Sequence, residues 1–133
     1  MSQPSPLEVE LAEVDERLAA RPREHQIIGQ MWAYAKDLRR QATEHARAKS
    51  WYQSQKSKIV VRARSEGEKS ASAAEHLAEA DDDIYRAHLA YRLAEQLMVA
   101  DRAALNVLHA ELDMIRTERA DARKADEFQA RES

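Results

Sequence analysis

The sequence predicts an all-α protein: a short N-terminal helix, then two long antiparallel helices forming a coiled-coil-like hairpin that oligomerises. Three observations carry this. Only two Gly and three Pro occur in 133 residues, so little in the chain interrupts a helix. Hydrophobic residues make up 44% and aromatics only 5%, and much of the hydrophobic share is Ala, the strongest helix former. Apolar residues recur at heptad spacing along two extended stretches. Helices this rich in Ala bury thin seams, which leaves one protomer a small core, and association of copies is the usual remedy.

Residues 1–4 read as a tail, and a first helix is expected over 5–21. Ser5 is a good N-cap, Pro6 suits the first helical position and Glu8 completes a capping box. Leu7, Leu11, Val14 and Leu18 form one apolar stripe, and Pro22 disfavours helical backbone at Arg21, which ends it. A second, basic helix is expected over 23–66, with Gly67 as the residue just past its end. Its seam runs through Ile28, Met31, Ala35, Leu38 and Ala42, then turns polar at His45, Lys49 and Lys56 around Tyr52, and ends on Ile59 and Ala63. Polar seam positions either set register or line a hydrated opening in an assembly.

A third, acidic helix is expected over 70–128, opened by a capping box from Ser72 to Glu75 or by Ser70, with residues 129–133 as a tail. Whether it runs unbroken is left open. Its seam passes through Leu77, Ala80, Ile84, Ala87, Tyr91 and Ala94, then Met98, Leu105, Leu108, Leu112 and Ile115, with Asp101 as the one polar interruption. A second strip, Leu89, Leu93, Leu97, Ala100, Ala104, Val107 and Met114, predicts burial on two sides: one against the second helix, one against another protomer. The oligomer interface is accordingly expected at Tyr91, Met98, Leu105, Leu108, Leu112 and Ile115. The whole chain reads as one helical domain.

Several classes fall away. Without Cys there is neither a disulfide framework nor a thiolate metal site. No apolar run approaches the roughly 20 residues that span a bilayer, and no signal-peptide core is evident, so a cytoplasmic protein without membrane contact is expected. The five His lack metal-binding spacing, and Asp81-Asp82-Asp83 near His76 reads as a solvated acidic turn. No Gly-rich phosphate loop and no strand–turn–helix setting for a nucleophile is present. Neither a cofactor nor catalysis is expected.

Charge is the informative signal. The net charge is −3, yet Lys36–Lys69 holds ten Lys/Arg against four Asp/Glu, while from Glu75 onward fourteen Asp/Glu face eight Lys/Arg. On a helix, Lys36, Arg40, Arg47, Trp51, Lys58 and Arg62 fall on one narrow stripe. Met31, Leu38, Ala42, Tyr52, Val60 and Ala63 fall on the other side. Most charged helix faces are simply solvated. This one lacks interleaved acidic partners, and burial gives no reason for Trp51 on it. An indole among cations suits single-stranded nucleic acid, whose bases stack at roughly 1–3 kcal/mol each. The same Trp also suits an oligomer contact.

Lys58-Ile59-Val60-Val61-Arg62-Ala63-Arg64 resembles the Lys-x-Val-x-Lys/Arg-Ala-Arg segment of phage recombination mediator proteins of the UvsY type. Residues 32–38, Trp-Ala-Tyr-Ala-Lys-Asp-Leu, are similar to that family's Tyr-Ser-Lys-Trp-Leu stretch. Residues 104–108 and 112–116 are similar to its Ala-Leu-Asp-Ala-Ile-Lys-Ser-Arg region, and the resemblance covers most of the chain. It implies a helical homo-oligomer, ring-like in form, that binds single-stranded DNA and loads a RecA-class recombinase onto strands covered by single-strand binding protein. Arg62 and Arg64 would then contact phosphates beside Lys58, supported by Arg40, Arg47, Lys49 and Lys56, with Trp51 stacking on bases. Ile59 stands where the family carries a second Lys, and the C-terminal helix is richer in Ala and in acid. A different class remains open: a phage scaffold or other coiled-coil assembly protein, or an adaptor for an acidic partner protein.

Overall fold

A computed structural model of the chain describes residues 2–132. Among them are four helices and no strand: α1 (Pro6–Arg17), α2 (Arg23–Ser65), α3 (Ala71–Glu79) and α4 (Asp82–Glu132). The protein is all-α. Met1 and Ser133, assigned above to the terminal tails, lie outside the described residues.

Each boundary has a local cause. At α1, Ser5 Oγ accepts from the Glu8 N–H at 3.2 Å and the Glu8 carboxylate accepts from the Ser5 N–H at 3.1 Å, the reciprocal capping box. Its helical residues stop at Arg17, earlier than expected, and a turn through residues 18–21 leads to Pro22. Gln26 donates from its side chain to the Arg21 carbonyl at 3.0 Å and ties that turn to α2. At the other end of α2, Glu68 N–H donates to the Ala63 carbonyl and Gly67 N–H to the Arg64 carbonyl. This is the Schellman pattern, and Gly67 adopts the φ of 111° that it requires and that a Cβ would resist.

The stretch expected as one third helix is two. Ser70, not Ser72, caps α3, accepting from the Ala73 N–H at 3.3 Å. The break falls at Ala80–Asp81, because Asp81 turns its carboxylate back to accept from the N–H groups of Asp83 (3.0 Å) and Ile84 (3.2 Å). Asp81 thus caps α4, and Asp82 and Asp83 sit in a first turn where exposed N–H groups favour negative charge. From there α4 continues to Glu132, past the expected limit of 128.

The chain divides into two compact units, Met1–Asp37 with Ala100–Ser133, and Leu38–Val99. In the first unit, Ile27 is fully buried against Leu108 and Leu112, with Met31, Tyr34 and Ile115 packed around them. Complete burial of an Ile side chain is worth about 1.5–3 kcal/mol. α1 docks on α2 at Gly29, where an added Cβ would stand 2.7 Å from Leu18 Cδ1 and 2.8 Å from Val14 Cγ1. Glycine there permits an approach at which any added Cβ would force Leu18 or Val14 to shift. Arg23 holds Glu111 through two bonds of 2.9 and 3.1 Å, and Arg119 and Arg116 reach Glu24 at 2.6 and 3.3 Å. Asp37 and Asp101 are also buried here, and each has an electrostatic or hydrogen-bonding partner.

In the second unit the core is Tyr52, Ile84 and Ala87, flanked by Ile59 and Tyr91. α3 joins it through Ala74 and Ala78, both wholly buried. These small side chains bury little area, so aromatic rings supply most of the packing.

Candidate nucleic-acid interface

The basic segment of α2 lies in the Leu38–Val99 unit, and its two faces separate as the periodicity predicts. Tyr52 is buried and Leu38, Ala42, Val60 and Ala63 are half-buried. Arg47, Lys49, Lys58, Arg62 and Arg64 are exposed, and Trp51 keeps 45% of its surface accessible among them. Burial therefore does not account for that indole. Among the described residues, Lys49, Lys58, Arg62 and Arg64 have no carboxylate within 4.0 Å, and Arg47 meets only Glu44, at 3.7 Å between exposed side chains. Arg40 is half-buried and has a partner of its own.

Lys56 departs from this set. It lies four residues after Tyr52 on the inward side of α2, and its ammonium sits 2.9 Å from Glu79 at the end of α3. The same carboxylate accepts the Tyr52 hydroxyl and stands 3.5 Å from His88 Nδ1 on α4. Tyr52, His88 and Tyr91 pack ring on ring, His88 parallel to Tyr91 at 5.1 Å, and His45 meets the edge of Tyr91 at 5.8 Å. The electrostatics follow from this knot. Hydrogen bonds from Tyr52 and then Lys56 hold the Glu79 carboxyl below its ordinary range. Glu79 raises the Lys56 ammonium, and burial raises the Tyr52 hydroxyl. Lys56 thus pins α3 to α2, and it differs from the exposed cations of α2 in having a carboxylate partner. The seam placement of Lys56 hinted at this; its partner, 23 residues away, did not show in the sequence.

The residues assigned to an oligomer interface are also placed inward. Tyr91 packs on Tyr52, while Leu108, Leu112 and Ile115 close over Ile27 of the same chain. Met98 and Leu105 are half-buried. The cleanest heptad of α4 is therefore occupied by this chain's own α2 in each unit. What stays outside is the second strip: Leu89, Leu93 and Leu97 in one unit, Val107 and Met114 in the other.

A hollow of about 380 Å³ opens beside Trp51. Ala48, Ala87 and Ala90 form its floor, and Arg47 and Glu44 of α2 face Arg86 and Asp83 of α4 across it. A neighbouring hollow is lined by Arg40, Gln41 and Thr43 and shares Glu44 and Arg47 with the first. Arg86 is a residue that the sequence reading missed, since it comes from the acidic helix and no α2 periodicity points to it. Trp32 is also exposed, over a separate hollow where Lys36 and Arg17 are balanced by Glu10 and Glu13. No cluster of three or more His, Asp or Glu able to hold a metal occurs among the described residues. No helix among them is long and apolar enough to cross a membrane.

These features define an all-α protein with an exposed cationic face that carries an indole. No family model matches the chain, and no curated protein or solved structure shows significant similarity to it.

Proposed function

We propose that this protein is a non-enzymatic, single-stranded DNA-binding recombination mediator that acts in the cytoplasm. It helps load a RecA-class recombinase onto strands covered by single-strand binding protein. The observation that carries the reading is the exposed side of α2, where Lys58 and Arg62 share the stripe of the accessible Trp51, Lys49 and Arg64 extend the positive charge around the helix, and none of the four has a carboxylate within 4.0 Å among the described residues. Cations of this kind displace counterions from phosphates, and an accessible indole offers a stacking surface that any unpaired base can use. The resemblance of residues 58–64 to UvsY-type mediators supports the same reading. In it, α2 and α4 form an antiparallel hairpin, and copies associate through the outward strip at Leu89, Leu93 and Leu97. Each protomer then binds weakly and a ring of them binds tightly, through high effective concentration.

Fluorescence anisotropy with a labelled oligo-dT at two salt concentrations tests it. Affinity should fall with salt at a slope near −0.7 per neutralised phosphate. Arg62→Ala combined with Arg64→Ala should lower that slope by about 1.4 while helicity and oligomer size stay as they are. Unchanged affinity in the double variant would remove these two arginines from the site. The exposed leucine strip also suits a second reading, a coiled-coil scaffold or assembly protein. On that reading the protein assembles yet leaves the oligonucleotide unbound at physiological salt.

A further inference from the structure

We infer that the hollow beside Trp51 is a pocket for one unpaired base and that it favours cytosine over thymine. This rests on the nucleic-acid reading above and goes beyond it, because the exposed cations of α2 by themselves discriminate nothing. The hollow is not a plain phosphate trap. It brings two guanidiniums, Arg47 and Arg86, together with two carboxylates, Glu44 and Asp83. Phosphates alone would be attracted and repelled in nearly equal measure. A nucleotide satisfies both signs at once if its phosphates lie against the guanidiniums and its base edge presents N–H donors to a carboxylate.

The two carboxylates are not equivalent. Glu44 leans on Arg47, 3.7 Å away. Asp83 has no ion-pair partner within 4.0 Å among the described residues, and it lies in the first turn of α4. Asp83 is thus an acceptor without a donor at the rim of a hollow walled by an indole. The exocyclic amine of cytosine is the donor that Asp and Glu read; thymine has a carbonyl at that position and would set oxygen against oxygen. The alanine floor at Ala48, Ala87 and Ala90 leaves about 380 Å³, near the small end of ligand sites at roughly 300–1,000 Å³. That accommodates one base against the indole. A duplex cannot use it, since both faces of a stacked base and its pairing edge are already covered.

The test uses the full chain carrying Trp32→Phe, so that Trp51 alone reports, with labelled oligo-dC and oligo-dT of equal length at neutral pH and fixed salt. Oligo-dC should bind about five- to tenfold tighter than oligo-dT, the low end of what one base-edge contact gives, and both should quench Trp51. Asp83→Ala should equalise the two strands. Arg86→Ala should weaken both alike and lower the salt slope by about 0.7. Ala90→Leu, which fills the hollow from a half-buried position, should abolish the preference and the quenching together. Equal binding of the two strands by the parent protein, or a preference that survives Asp83→Ala, overturns the inference and leaves the nucleic-acid reading standing. Binding of neither strand overturns that reading and this inference with it.

Discussion

Arg23, Arg116 and Arg119 in one unit and Arg62 and Arg64 in the other are used in opposite ways. In the Met1–Asp37 and Ala100–Ser133 unit, Arg23, Arg116 and Arg119 are each matched to a carboxylate, and the core beneath is aliphatic. In the Leu38–Val99 unit, Arg62, Arg64, Lys49 and Lys58 are exposed and have no such partner among the described residues, and the core is a ring cluster tied by the Glu79 carboxylate. A paired cation supports the fold at the surface and has little left for a ligand. An unpaired one adds nothing to stability and keeps its charge for a polyanion. On the proposed reading, DNA is held by those α2 cations that the fold leaves without a carboxylate.

The largest effects should come from the two core isoleucines, both essentially inaccessible. Ile27→Ala and Ile84→Ala should each cost about 2–5 kcal/mol in chemical denaturation, the usual range for a buried aliphatic truncation. Hydrogen exchange sharpens the comparison. If the units open separately, Ile27→Ala should expose amides near residues 27 and 108, and Ile84→Ala those near 52 and 84. Uniform loss of protection in both variants would mean that they unfold as one.

Gly29→Ala comes next. Alanine raises helix propensity by about 1 kcal/mol, yet its Cβ would intrude on Leu18 and Val14 at 2.7 and 2.8 Å. Overpacking of this kind typically costs about 1–3 kcal/mol. A net loss of stability with faster exchange confined to residues 6–17 is expected. A stabilised protein would show that α1 yields without penalty.

Sequence carried the local chemistry well and the long-range pairings poorly. The Ser5–Glu8 box and the Gly67 terminus were legible because every atom they need lies within a few residues. The α3–α4 break was not, since Asp81 as a cap looks the same in sequence as Asp81 in a solvated turn. A heptad states which side of a helix is apolar but not which chain covers it. Leu108 and Leu112 therefore read as an oligomer contact and turned out to pack on Ile27. In the site, the exposure of Arg47, Trp51, Lys58 and Arg62 follows from period, whereas Arg40 on the same stripe is half-buried with a partner of its own. The roles of Lys56 and Arg86 do not follow from it, because they depend on Glu79 and on the approach of α4 to Trp51.

The Glu79 knot gives a pH test within the second unit. Its carboxyl titrates lower in the folded chain than in the unfolded one, so it stabilises fully above the ordinary glutamate pKa of about 4.3. That contribution fades as pH falls through the lowered folded value. Lys56, raised by the same contact, keeps its share at neutral pH, loses it in acid when Glu79 is protonated, and loses it again as alkaline pH passes its raised value. Glu79→Gln should cost about 1–2 kcal/mol at neutral pH, the range for a charge-assisted bond at a partly exposed site. It should also flatten the acid limb of the melting curve for this unit. An acid limb identical to that of the parent would assign the pH dependence elsewhere.

The smallest effect sharpens the comparison most. Arg116→Ala combined with Arg119→Ala frees Glu24, whose carboxyl these two arginines hold below its ordinary range. Both arginines are about half exposed, so solvent screens these pairs and a slight drop in stability is expected, smaller still in high salt. The oligo-dT salt slope should not move, because these cations already have a carboxylate. Arg62→Ala with Arg64→Ala should do the reverse, leaving stability nearly intact and lowering the slope. If both pairs changed DNA binding to the same degree, total charge alone would govern affinity. The division between paired arginines in one unit and unpaired ones in the other would then carry no functional meaning.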